Sequence, residues 1–290
     1  MRGEVTSVLG VGATLGEGPV WVEREQAVYF VDIKGHRVHR FDPATAEHRS
    51  FAAPAQVGWV LPSDDGLFLA GLQHGVARFD PATGVFDQVR DPEPGLPGNR
   101  LNDATVDPQG RLWFGTMDDG ESAATGRLWC LDRGTLRDSG LAPVTITNGP
   151  AVSPDGRTLY HTDTLGRVIY AVPVRDDGTL GPPAVFAEIA SEDGWPDGCV
   201  ADADGCLWSG LWGGWRVRRY DPAGRVMAET RLPCANVTKI AFGGPDLRTA
   251  FVTTARKGLD AAALESQPLA GNLFMFDAGV AGQADSIVRL

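Results

Sequence analysis

Helical periodicity, paired cysteines, clustered histidines and long apolar runs are all nearly missing from this chain, and each absence removes a class of protein. The four cysteines, Cys130, Cys199, Cys206 and Cys234, form no C-x-x-C pair. A zinc ribbon or dithiol redox motif is thereby excluded, and buried, reduced, inert thiols are predicted. The five histidines, His36, His39, His48, His74 and His161, include no H-E-x-x-H, and His161 is expected to pack within a strand. There is no G-x-S-x-G nucleophile elbow, and GGPDLR at 243–248 lacks the Lys and Ser/Thr of a phosphate loop. No segment approaches the ~20 apolar residues that span a bilayer. The first 21 residues lack the apolar core and cleavage site of a signal peptide, so a cytoplasmic location is expected. Basic residues are scarce too: 26 against 37 acidic ones, for a net charge of −11. That field repels polyanions, so nucleic acid and membrane surfaces are excluded as partners, whereas a small neutral substrate is not. A monomer is the default expectation.

Glycine and proline, by contrast, are abundant, at 37 and 20 residues, and usually stand beside Asp or Asn. Many turns between many short strands follow. Two patterns alternate along the chain. The first is a turn followed by an apolar or aromatic strand, as in EREQAVYFVDI at 23–33, DPQGRLWFGTM at 107–117 and DADGCLWSGLW at 202–212. The second is a strand that runs into an Asp-Pro or Asp-Gly turn, as in HGVARFDPATGVF at 74–86 and WRVRRYDPAGRV at 215–226. Each pattern occurs six times. Period-2 alternation joined by hairpin turns, repeating every ~40–50 residues, is the arithmetic of a propeller. The expected fold is all-β: a six-bladed β-propeller with four-stranded antiparallel blades, one domain over 1–290. A strand near 4–8 is expected to close the ring, one short helix is expected within 257–270, and the Gly- and Ser-rich stretch 118–126 suits a lid.

The repeat also places the chemistry. Counting back eleven residues from Trp113 and Trp208, or twelve from Tyr160 and Tyr29, reaches Asn102, Asp197, Asn148 and Glu17. The two remaining blades put Val57 or Gly58, and Thr238 or Lys239, at this level. Innermost propeller strands line the channel, so equivalent positions converge on one axis. Two carboxylates and two amides meeting there, with no clear basic counterpart in the sequence, repel one another unless a cation lies between them. An oxygen-only donor set suits Ca²⁺, Mg²⁺ or Mn²⁺ and also admits Fe²⁺ or Zn²⁺. Gly18, Gly149 and Gly198 follow three of these residues and permit tight turning. Trp59, Trp195, Trp212 and Trp215 are candidates either for a pocket wall or for packing between blades.

At LGEGPVW (15–21), NRLNDATVDPQGRLWFGTM (99–117), TNGPAVSPDG (147–156), PDGCVADADGCLW (196–208) and NVTKIAFGGPDLRTAFVTTARKGL (236–259) the chain resembles the SMP-30/gluconolactonase/regucalcin family. It looks most like the family's bacterial sugar lactonases of the xylonolactonase and gluconolactonase kind. The resemblance implies the same six-bladed fold, one divalent metal held by Glu17, Asn148 and Asp197, and substrate contacts from Arg100 and Asn102. It also implies an acidic substrate contact just after G-T-M, where Asp119 and Glu121 both qualify. The implied activity is that of a carboxylic-ester hydrolase acting on a C5 or C6 sugar lactone, with Asp197 as general base. The alternatives are a metal-binding regulatory propeller without turnover and a related propeller esterase.

Overall fold

Asp107 and Asp202 show how the repeated turn builds a blade. The Oδ1 of Asp107 accepts from the backbone N–H of Gln109 and Arg111, both at 3.0 Å, while Oδ2 accepts from Trp113 Nε1 at 2.9 Å. Asp202 repeats the arrangement with Asp204, Cys206 and Trp208 Nε1. One carboxylate thus closes the hairpin and ties down the aromatic of the next strand, which then packs between blades. Such inter-blade pairs include Trp59–Phe114, Trp208–Phe242, Tyr29–Phe68 and Trp21–Phe251, with ring centroids 4.7 to 5.9 Å apart.

The computed structural model describes residues 3–284 and 286–290. These form six four-stranded antiparallel sheets, the blades of a propeller. The innermost strands are Gly16–Val22, Val57–Pro62, Asn99–Val106, Thr147–Val152, Trp195–Ala201 and Val237–Gly243, for blades one to six. These strands are almost entirely buried, whereas the outermost strands of blades one and two, Glu47–Ala52 and Val85–Arg90, are mostly exposed. The N-terminal strand Thr6–Leu9 pairs with Leu273–Asp277 of blade six and closes the ring, as the sequence led one to expect. The anticipated helix is short, Ala261–Ser266, with Asp260 accepting from the Ala263 N–H at its start. No helix among the described residues is long and apolar enough to cross a membrane.

Every innermost strand carries a β-bulge at the same level. The pairing register slips between Glu17 and Val20, Val57 and Trp59, Leu101 and Ala104, Asn148 and Ala151, Pro196 and Cys199, and Val237 and Ile240. An extra residue there breaks the two-residue alternation and re-aims side chains. At the opposite end of the channel the C-terminal segment runs across the ring. The Gly282 N–H donates to Leu247 O, Gln283 Nε2 to Val152 O and Ala201 O, and the Val288 N–H to Pro62 O.

Candidate active site

The bulges place their residues around one cavity of about 320 Å³ at the N-terminal ends of the innermost strands. Glu17, Arg100, Asn102, Asn148, Asp197 and Glu121 all line it. The approach to Glu17 is held by Asp32, whose carboxylate accepts from the N–H groups of Thr14, Leu15 and Gly35 at 2.9 to 3.0 Å. Gly18 and Gly149 adopt φ of +53° and +81°, which only glycine takes up without strain. Gly198 is a glycine for another reason. A Cβ there would lie 2.5 Å from the Cβ and Cγ of Lys239.

The amide groups are oriented by a relay across three blades. Arg100 Nη1 donates to Asn102 Oδ1 at 2.6 Å, and Asn102 Nδ2 donates to Asn148 Oδ1 at 2.8 Å. Asn148 Nδ2 donates in turn to Thr164 Oγ1 at 3.0 Å, and that hydroxyl donates to Pro196 O at 2.9 Å. Arg100 is itself held by Asp119, whose Oδ1 lies 2.8 Å from its Nε. Burial pulls the Arg100 guanidinium below its ordinary range, and the Asp119 charge opposes that shift.

The electrostatics favour a cation. Burial pushes the Glu17 carboxyl up to about 8, with repulsion from Asp103 adding to the shift. Asp197 is likewise raised, first by burial and then by Glu17 and Asp103. Asp197 Oδ1 is buried and finds no hydrogen-bond partner among the described residues. Two buried carboxylates with raised pKa values, one with an orphaned oxygen, fit a divalent ion on oxygen ligands. Among the described residues no group of three or more His, Cys, Asp or Glu is placed to hold a metal. Glu17, Asp197 and the Asn148 amide nonetheless line one cavity together.

Several readings of the sequence need correcting. The carboxylates do have a basic neighbour: Lys239 Nζ lies 2.5 Å from Asp103 Oδ1 on the channel axis. Asp103 went unnoticed because strict alternation sends it away from the channel when Asn102 faces in, and the bulge turns both inward. Lys257, which pairs with Glu121 across the mouth, was also missed. The two acidic candidates separate. Glu121 lines the cavity, whereas Asp119 is bound by Lys34, Gln56 and Arg100 and does not. Of the four tryptophans, Trp195 and Trp212 line the cavity. Trp59 is buried in the core at 1% exposure, and Trp215 belongs to neither setting. His161 is buried within its strand, as expected. The 118–126 loop is braced by Asp118, which accepts from the N–H groups of Gly120, Ser122 and Ala123 and sits at about 2 because of those bonds.

Comparison with known proteins places the chain in a family. The sequence pattern of the SMP-30/Gluconolactonase/LRE-like region matches residues 15–256. The chain is 35% identical to a 6-deoxy-6-sulfogluconolactonase of Pseudomonas putida, over 95% of each chain. It is 35% identical to an L-arabinolactonase of Azospirillum brasilense, over 97% of this chain and 94% of that one. A crystal structure of a calcium-binding protein, regucalcin, from Agrobacterium tumefaciens superposes with a TM-score of 0.95 at 30% identity, covering 99% of this chain and 98% of that one. The family pattern covers most of the chain and both lactonases match it nearly from end to end, so the chain belongs to the SMP-30/gluconolactonase/LRE-like family.

Proposed function

We propose that this chain is a metal-dependent sugar lactonase, a carboxylic-ester hydrolase that opens an aldonolactone to its aldonic acid. The observation that carries the reading is the orphaned, buried Asp197 Oδ1 in a cavity that Glu17, Arg100, Asn102 and Asn148 also line. The 35% identity to two lactonases supports it. Glu17, Asn148 and Asp197 would hold one divalent ion, of which Ca²⁺, Mg²⁺, Mn²⁺, Zn²⁺ and Fe²⁺ all suit oxygen donors. When bound, such an ion supplies Lewis-acid polarisation of a lactone carbonyl.

The chain's own groups do the rest. Asp197 takes a proton from the attacking water and passes it to the ring oxygen as the ester C–O bond breaks. Arg100, fixed by Asp119 and Asn102, offers donors to the oxygen on which negative charge develops. Glu121 accepts from a substrate hydroxyl at the mouth. Trp195 and Trp212 give the opposite wall an apolar surface for the C–H face of the ring.

Lactone hydrolysis followed by acid release, with and without chelator, tests the proposal. Asp197→Ala should abolish the enzymatic rate and leave the fold unchanged, and undiminished turnover in that variant refutes it. The likeness to a calcium-binding regucalcin supports a second reading, ion binding without turnover. Calcium binding in the absence of any lactone hydrolysis would favour that alternative.

A further inference from the structure

Two buried charged groups of the channel, Lys239 and Asp103, are not among the donors just described. Lys239 is 6% exposed, and its Nζ reaches Asp103 Oδ1 at 2.5 Å, Ala104 O at 3.0 Å and Gly149 O at 3.4 Å. Its stem, from blade six, crosses the face of Gly198, the residue after Asp197, and ends on blades three and four. Asp103 Oδ2 finds no partner among the described residues. Lysine is almost never buried in this way without a paired charge, and here the pair joins blade six to blade three across the channel. The Lys239 charge acts on both Glu17 and Asp197, as does that of Asp103 with opposite sign.

The geometry points to Lys239 and Asp103 as a built-in counter-charge pair, outside the ligand set, that sets how tightly the site holds a divalent cation. The inference rests on the metal site proposed above and adds two positioning residues to it. A buried ammonium beside two carboxylates weakens their hold on a divalent ion. Asp103 strengthens that hold and keeps the ammonium in place. Because the two are bonded to each other, each balances the other's effect on the ion.

Calorimetric titration of the metal-free protein with CaCl₂ and with MnCl₂ reads this out without any turnover. Lys239→Met keeps the stem and removes the charge, and the Kd for the ion should fall by about tenfold or more. Asp103→Asn should raise Kd by about tenfold or more, and the double variant should return close to the wild-type value. A purely structural pair would weaken binding in both single variants. Shifts of the same sign, or no shift, therefore overturn the inference while leaving the metal site standing. Asp103→Asn alone decides the matter if Lys239→Met melts out, because unchanged or tighter binding in it is enough to overturn. Wild-type protein that binds neither ion would remove the proposed metal site and this inference together.

Discussion

Asn102 Nδ2 donates to Asn148 Oδ1 across the boundary of blades three and four at 2.8 Å, and the direction of that bond is forced from both ends. On one side Arg100 can only donate, so Asn102 must present its oxygen to it. On the other side Thr164 spends its single proton on Pro196 O and can only accept from Asn148 Nδ2. The Asn148 oxygen is therefore left on the cavity side, where a cation or substrate can use its second lone pair.

Thr164→Val tests the relay. It leaves Asn148 Nδ2 and Pro196 O buried without partners, which should destabilise the fold by about 1–3 kcal/mol. Turnover should fall further than stability explains, because the Asn148 amide is free to rotate. Thr164→Ser should restore both. Urea melts and lactone hydrolysis on the two variants check this, and equal activity in both would show that the relay does not orient Asn148.

Asp119 and Glu121 should separate kinetically. Burial alone would raise the Asp119 carboxyl, but bonds from Lys34 and Gln56 and the Arg100 charge hold it at about 2. Asp119→Asn leaves Arg100 short of its counter-charge and should lower kcat with a stability loss of about 1–3 kcal/mol, scaled down because Asp119 is partly exposed. Glu121→Gln, at the rim, should raise KM with little change in kcat. A KM effect confined to Asp119→Asn would reverse the two assignments.

Stability of the metal-free protein should fall as pH rises from the ordinary carboxylate range toward about 8, the position of Glu17 in the folded chain. With the folded pKa above the unfolded one, the native state holds more protons between the two values, so unfolding gains ground as pH increases. Asp197, raised for the same reasons, adds to the slope. A saturating divalent ion should restore the Tm most at the alkaline end. Thermal melts from pH 5 to 9 with chelator, with Glu17→Gln as control, measure it. A slope that Glu17→Gln leaves unchanged would remove Glu17 as its origin.

Gly58 of blade two packs directly against the innermost strand of blade three. A Cβ there would sit 2.5 Å from Asn102 O and 2.7 Å from Leu101 O. Gly58→Ala should push the bulge that carries Asn102 aside, destabilise by about 1–3 kcal/mol and reduce kcat. Chemical denaturation and steady-state kinetics on this variant test the contact, and wild-type values for both would show that the blades can separate there without consequence.

The amino-acid order determined the six blades, the closing strand, and the level at which Glu17, Asn102, Asn148 and Asp197 face the axis. These follow from local period, turn chemistry and equal spacing, all of which act within some tens of residues. Only the tertiary structure decided that Asp103 also faces the channel, that Lys239, one of two residues the repeat offered for blade six, pairs with it, that Glu121 rather than Asp119 lines the cavity, and which tryptophans wall it. A β-bulge inverts the facing of a side chain without leaving a pattern in the sequence. Lys239 and Asp103 meet across 136 residues, and only closure of the ring brings blades three and six within reach of one hydrogen bond.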